Sequence, residues 1–374
     1  MVAVTGATGH LGTVLVHRLI ADGEEVRYVV RSTSTSRGLD DLPVGTARRV
    51  EAELLDVDAL SRAFDGAEVV YHAAGMISLM PGDGDALYRV NVEGTRTALK
   101  AARRARVRRF VYLGTIEAFP LEGGVFPITE EMTIDPDRTV MDYGRTKALA
   151  TRLVLGASGS DATAGTEATS GTELERANSS GTELDDSGTS VTGTELECVV
   201  CAPTAFIGPP DYRLSSLGRF VLDTLRGRLP VAVNGGFDFV DVRDVADGVI
   251  RAARHGTPGR VYLLSGEFTT VEDIVAMITS TAGVRGPALT LPLGLVLPFA
   301  PAVELYYRAT GRSPRFTHAS LRLLSLRVRV DSSRAQKELG YTARPLAETI
   351  ADTVRWFLDE GYVAAKAVGI DLKS

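Results

Sequence analysis

Cysteine is nearly absent from this chain, and that shortage, like the lack of excess positive charge and of an export signal, narrows what the protein can be. Only Cys198 and Cys201 occur in 374 residues. Their C-x-x-C spacing would suit a redox pair or half of a metal site. However, ECVVCAPT has the pattern of a buried strand, in which residues three apart point to opposite faces. The five histidines are scattered without ligand spacing, so no metal is expected. Lysine and arginine number 41 against 47 aspartates and glutamates, for a net charge of −6 and a pI near 5.6. No basic cluster is dense enough to follow a phosphate backbone, so nucleic acid is not an expected partner.

Long apolar runs are also scarce. LTLPLGLVLPFAPAVELYY, residues 289–307, approaches membrane-spanning length but carries Pro292, Pro298, Pro301 and Glu304. Prolines so spaced suit a lobe of broken helices better than a bilayer span, which leaves peripheral membrane contact as the minor alternative to no membrane role. MVAVTGATG enters an apolar strand and a glycine turn at once, without a basic start or an export-type stretch, so a cytoplasmic location is expected.

What the chain does have is 44% hydrophobic residues, enough for a large core, and a length that suggests two or three domains. Apolar runs that read as strands (VAVTG, VRYVV, RRVEA, VVYHAAG, RRFVYLG) alternate with amphipathic helical stretches through the first half. That alternation predicts an α/β fold of the Rossmann type, a doubly wound parallel sheet with a smaller C-terminal substrate lobe. Residues 1–155 are expected to form the dinucleotide-binding core, continued by 196–205 and 236–265. Residues 206–235 and 266–374 are expected to form the substrate-binding lobe and C-terminal helices. Between them, 22 of the 40 residues from 156 to 195 are Gly, Ser or Thr, with eight acidic residues and one arginine. A segment so poor in large apolar residues cannot offset its ordering entropy by burial, so a disordered acidic surface insertion is predicted.

TGATGHLG follows the first strand directly and opens the first helix. In that setting Gly6 makes the tight turn, Gly9 lets the backbone approach a pyrophosphate, and Gly12 allows close helix packing, with the helix N-terminus facing the anion. Thr8, His10 and Leu11 complete the turn and are expected at the same cofactor. Roughly twenty residues further on, Arg31 stands at the end of the second strand with no acid beside it. This favours NADP(H), through the 2′-phosphate, over NAD(H), the alternative. The strand FVYLG ends at Gly114 and Thr115, on the edge where ligands of such sheets bind. In DYGRTKALA, Tyr143 and Lys147 are four apart on one helix face. A nearby ammonium is expected to lower the phenol's pKa toward working pH. Thr115, Tyr143 and Lys147 together supply what hydride chemistry at a carbonyl needs: a hydroxyl that polarises the oxygen, a phenol that gives or takes the proton, and a cation that tunes it.

With these motifs the sequence resembles the extended short-chain dehydrogenases/reductases, the NAD-dependent epimerase/dehydratase family, over nearly the whole chain except the insertion. TGATGHLG, YHAAG, YRVNVEGT with Asn91, the strand-end threonine, YGRTK, APTAFIGPPD and DSSRAQKELGY fall in family order. The resemblance implies Thr115, Tyr143 and Lys147 as the catalytic residues. It places Ala73 and Ala74 at the cofactor ribose, and Asn91, Pro203 and Thr204 at the cofactor as well. Glu53, followed by Leu54, stands where relatives usually carry an adenine-contacting aspartate. The likeness is nearest to dihydroflavonol-reductase-like and hopanoid-associated epimerase-like members, and GTIEAFP is similar to 3β-hydroxysteroid dehydrogenases. Where nucleotide-sugar epimerases commonly place two arginines, this chain has Ala202 and Phe237. A sugar-nucleotide diphosphate would there lose charge-assisted contacts of about 1.5 to 3 kcal/mol each. The expectation is an oxidoreductase acting on a small, partly apolar or sugar-like compound. An epimerase or dehydratase that retains its cofactor, and a non-catalytic NADP(H)-binding redox sensor, are the alternatives. Homodimerisation through a four-helix bundle is implied by resemblance alone.

Overall fold

The computed structural model describes residues 1–78, 80, 82–121, 127–158, 195–229, 231–301 and 318–363. The insertion expected at 156–195 therefore lies outside the described residues except for its first three and its last, as do residues 302–307 of the apolar stretch.

The first half alternates as its hydrophobic pattern dictates: β1 (Val2–Thr5), α1 (His10–Ala21), β2 (Val26–Val30), β3 (Ala47–Glu51), α2 (Val57–Phe64) and β4 (Val69–His72). A continuous helical rod follows, made of α3 (Gly84–Leu87), a π-helical turn (Tyr88–Glu93) and α4 (Gly94–Arg104), then β5 (Arg109–Leu113) and α5 (Asp142–Ala157). After the gap come β6 (Glu197–Pro203), β7 (Ala205–Ile207), α6 (Ser216–Leu225), β8 (Val231–Asn234), β9 (Gly236–Asp241), α7 (Val242–His255) and β10 (Val261–Leu264). The remaining described strands and α-helices are β11 (Glu267–Thr270), α8 (Val271–Ala282), β12 (Leu289–Pro292), α9 (Leu293–Val296), α10 (His318–Ser325), α11 (Ser333–Leu339) and α12 (Leu346–Asp359).

The main sheet has seven strands in the order β10-β6-β5-β4-β1-β2-β3, and every pairing in it is parallel. Strands covered on both faces need apolar residues at successive positions. Thus β1 and β4 are buried throughout. One apolar layer gathers α1, α7 and α11 with Leu11, Leu15, Val245 and Leu339; the other gathers α2, α4 and α5 with Leu60, Phe64, Ala98 and Val154. Cys198 belongs to the second layer and Cys201 to the first. Both thiols are free and buried, as strand geometry requires for residues three apart.

Two smaller sheets shape the other lobe. β7 pairs parallel with β9, which pairs antiparallel with β11, and β12 pairs with β8. The core continuation expected over 236–265 therefore divides, because β9 joins the small sheet while α7 and β10 complete the large layer. α12 is held against the start of α7 by ions: Arg344 donates to Asp244 at 2.8 Å, and Asp352 lies 2.8 Å from Arg243. Among the described residues no helix is long and apolar enough to cross a membrane.

Candidate active site

Because the strands of the main sheet run parallel, their carboxyl ends share one edge, and the sequence-predicted residues fall there one strand at a time. β1 leads into Gly6, β2 into Arg31, β4 into Ala73 and Ala74, β5 into Gly114 and Thr115, and β6 ends on Pro203 before Thr204. The glycine turn is tight in the way its spacing implies. Gly6 has φ +70°, and a Cβ there would lie 2.5 Å from the backbone of Ala73 and Ala74. At Gly12 a Cβ would sit 2.1 Å from the Gly6 carbonyl oxygen, whereas at Gly9 it would meet only that oxygen, at 3.2 Å. Gly9 N–H donates to Gly6 O at 2.9 Å and closes the turn. α2, α7 and α8 have side-chain caps from Asp56, Asp241 and Thr270, but no side chain caps α1, whose first turn also carries no acid. Open backbone donors beside a glycine with free space fit a dinucleotide pyrophosphate.

The other residues assigned to the cofactor differ in what they can offer. Arg31 and Glu53 are exposed, while Leu54 packs over Gly94. His10 spans the two lobes, its Nε2 lying 2.8 Å from the Gly208 carbonyl, with Nδ1 buried and without a partner. Thr204 is buried beside Asp238, whose carboxyl burial pushes up to about 6. Asn91 is a strut. Its Oδ1 accepts from Met76 N–H at 2.8 Å, and its Nδ2 donates to Met76 O and to Thr146 Oγ1. Thr146 Oγ1 in turn donates to the Tyr143 carbonyl. The Asn91 amide thus braces α5 at this edge.

Thr115, Tyr143 and Lys147 are all buried at this edge, 8%, 8% and 5% exposed. The Thr115 hydroxyl is close enough to the Tyr143 phenol to favour its ionised form. Lys147 Nζ donates to the Leu113 carbonyl at 2.5 Å and lies 4.3 Å from the centroid of the Tyr112 ring. These contacts do not replace bulk water, and burial draws the ammonium down to about 7. The phenol moves opposite to expectation. Burial, then the negative field of Glu117, holds Tyr143 well above its ordinary value, with the Thr115 hydroxyl pulling the other way. A lysine that is itself poorly charged cannot supply the lowering expected from sequence, so Tyr143 is a proton-bearing phenol. Beneath this group, His72 is kept neutral by burial and by Lys147, its Nδ1 lying 2.8 Å from Thr5 Oγ1.

One residue escaped sequence reasoning. Glu117 stands two positions after Thr115, and burial pushes its carboxyl up to about 7. Its only signal is an acid inside the otherwise apolar run Ile116–Pro120.

Comparison with known proteins agrees with this architecture. Residues 2–170 match the NAD dependent epimerase/dehydratase family. The chain is 35% identical over 367 residues to sterol demethylase protein B of Methylococcus capsulatus, covering 96% of this chain and 99% of that protein. It is 31% identical to a putative dihydroflavonol 4-reductase of Synechocystis, covering 96% and 95%. The crystal structure of gox2253 superposes with a TM-score of 0.76 at 28% identity, covering 97% of this chain and 99% of the other. Likeness that runs end to end through both relatives makes this chain a member of the NAD-dependent epimerase/dehydratase family, and an enzyme.

Proposed function

We propose that the enzyme is an NADP(H)-preferring oxidoreductase that moves a hydride between the nicotinamide and a carbonyl or hydroxyl carbon of a small, partly apolar or sugar-like substrate. The observation that carries this reading is the joint burial of Thr115, Tyr143 and Lys147 at the sheet edge beside the glycine turn. The bound dinucleotide would supply the hydride. Gly6, Gly9, Gly12 and the N–H groups opening α1 would hold its pyrophosphate, and Arg31 a 2′-phosphate. Thr115 would orient the substrate oxygen, and Tyr143, which bears its proton, would donate to that oxygen during reduction. Lys147, easily switched between charged and neutral, would serve the ribose hydroxyls and the phenol's proton supply.

Substrate class follows from what surrounds the lobe joint. Ala202 and Phe237 lie within the apolar layer, with the Phe237 ring edge-on to Phe239 at 6.3 Å. That is a poor setting for a diphosphate, and the two relatives named above are named for a sterol and a dihydroflavonol. A retained-cofactor epimerase remains the second reading, favoured by the family match. A screen of ketones, aldehydes, sterols and sugar nucleotides with NADPH and NADH separates them, because net release of oxidised cofactor in step with product occurs only for a reductase. Tyr143→Phe is expected to lower turnover about 10³-fold while leaving cofactor affinity nearly intact. Undiminished turnover in that variant would remove Tyr143 from its role and the proposal with it.

A further inference from the structure

The stretch around α9 is apolar, uncharged and partly turned toward solvent. Residues 286–301, GPALTLPLGLVLPFAP, contain no charged side chain. The inner positions belong to a small core, in which Leu293 and Ala300 are buried with Val233 and Leu321. The outer positions do not. Leu289, Leu295 and Phe299 are 52%, 62% and 68% exposed, and Leu295 and Phe299, four apart across α9 and the 3-10 turn Leu297–Phe299, lie on one side of it. Of the seven large hydrophobic residues exposed among the described residues, three fall in these eleven positions, so the exposure is a patch and not a scatter. Pro292 and Pro298 keep the helical turns too short to cross a bilayer but leave them free to lie in its surface.

The charge beside this patch has one sign. The described part of 284–330 holds four arginines, Arg285, Arg322, Arg327 and Arg329, and no acid, in a chain whose net charge is −6. Arg327 and Arg329 are exposed, stand 5.9 and 5.2 Å from the centroid of the Phe268 ring, and have no acidic partner among the described residues. A guanidinium stacked on a ring keeps its charge and its donors for a partner outside. Phe268 and α9 rest on one glycine pair, since a Cβ on Gly235 would lie 2.8 Å from the Leu293 side chain and one on Gly236 2.7 Å from the Phe268 ring. The arginines are thus held beside the apolar turn. We propose that this face docks the protein on the surface of a bilayer containing anionic lipids, with Leu295 and Phe299 entering the acyl boundary and Arg327 and Arg329 meeting lipid phosphates. Nucleic acid would use the arginines but leave the uncharged apolar turn in water. A second copy set face to face would bring the arginines of both chains together. The proposal is independent of the reaction the enzyme catalyses.

The test is flotation of the full chain with two kinds of vesicle, one of phosphatidylcholine alone and one of phosphatidylcholine and phosphatidylglycerol in equal parts. Wild type should float with the mixed vesicles, bind phosphatidylcholine alone about tenfold more weakly, and come off the mixed vesicles as salt is raised. The double variant Leu295→Ser/Phe299→Ser should weaken binding to both kinds by about tenfold or more. Arg327→Gln/Arg329→Gln should weaken binding to the mixed vesicles alone, by about fivefold per arginine. Wild type that floats with neither vesicle overturns the proposal, as does binding that Leu295→Ser/Phe299→Ser leaves unchanged. Absence of flotation together with a dimer that this variant splits in sedimentation would make a second copy the occupant; absence of flotation together with a duplex DNA gel shift abolished by Arg327→Gln/Arg329→Gln would make it nucleic acid. Phe299→Trp adds no polar group and decides the matter where a double variant folds poorly. Relative to wild type, its fluorescence should move to the blue on adding mixed vesicles and be quenched by brominated acyl chains, and an emission unmoved by either overturns the proposal.

Discussion

The two ends of the candidate site are built from opposite materials. At the α1 end, Gly6, Gly9 and Gly12 contribute only backbone, and the fit is set by distances at which a single added carbon collides at Gly6 and Gly12. At the α5 end, Tyr143, Lys147, Glu117 and His72 are bulky ionisable groups, and the fit is set by how far burial displaces their proton equilibria. The first end is a steric device and all but indifferent to pH. The second is electrostatic, with two groups brought to about 7 from opposite directions. An anion can dock at the one without any side chain changing state, whereas proton transfer at the other depends on side chains whose charge is readily altered.

That contrast can be broken most severely at Gly12. Gly12→Val would force the turn apart against the Gly6 carbonyl, with an expected loss of about 3 kcal/mol in unfolding free energy and of measurable cofactor binding. Urea unfolding and fluorescence titration with NADPH check both, and a variant of native stability would show that the turn tolerates what its geometry forbids.

A smaller effect sharpens the electrostatic end. His72 falls from its ordinary 6.5 to about 3 in the fold, so the unfolded chain binds the extra proton and stability drops as pH falls below 6.5. Glu117, raised from 4.5 to about 7, does the reverse, adding stability as pH falls from 7 toward 4.5. The two oppose each other between 4.5 and 6.5. Each contributes at most about 1.4 kcal/mol per pH unit. Unfolding midpoints measured across that range should therefore decline more steeply with acid in Glu117→Gln than in wild type, and less steeply in His72→Asn. Parallel curves for all three proteins would contradict the burial argument. The smallest effect belongs to exposed Arg31: Arg31→Ala should weaken NADPH binding about tenfold and NADH hardly at all, as paired titrations would show.

Much of the architecture was legible because burial on both faces of a parallel sheet leaves a plain mark, apolar strands at regular spacing between amphipathic helices. VRYVV, for instance, has the pattern of a strand and is β2 in full. The sheet change at Thr204 was not legible, since β7 and β9 look like any other short apolar run and only their pairing places them in the second sheet. Nor was the strut formed by Asn91, which depends on Met76 and Thr146, 15 and 55 residues away in sequence.

By itself the sequence determined the parallel fold, the glycine turn and the shared helix face of Tyr143 and Lys147, because each follows from spacing along the chain. Only the tertiary structure decided the protonation of that pair and the presence of Glu117 beside it. Local spacing says which side chains can meet, but the free energy of a charge depends on how much water the whole fold removes around it, and that is a property of contacts between distant segments.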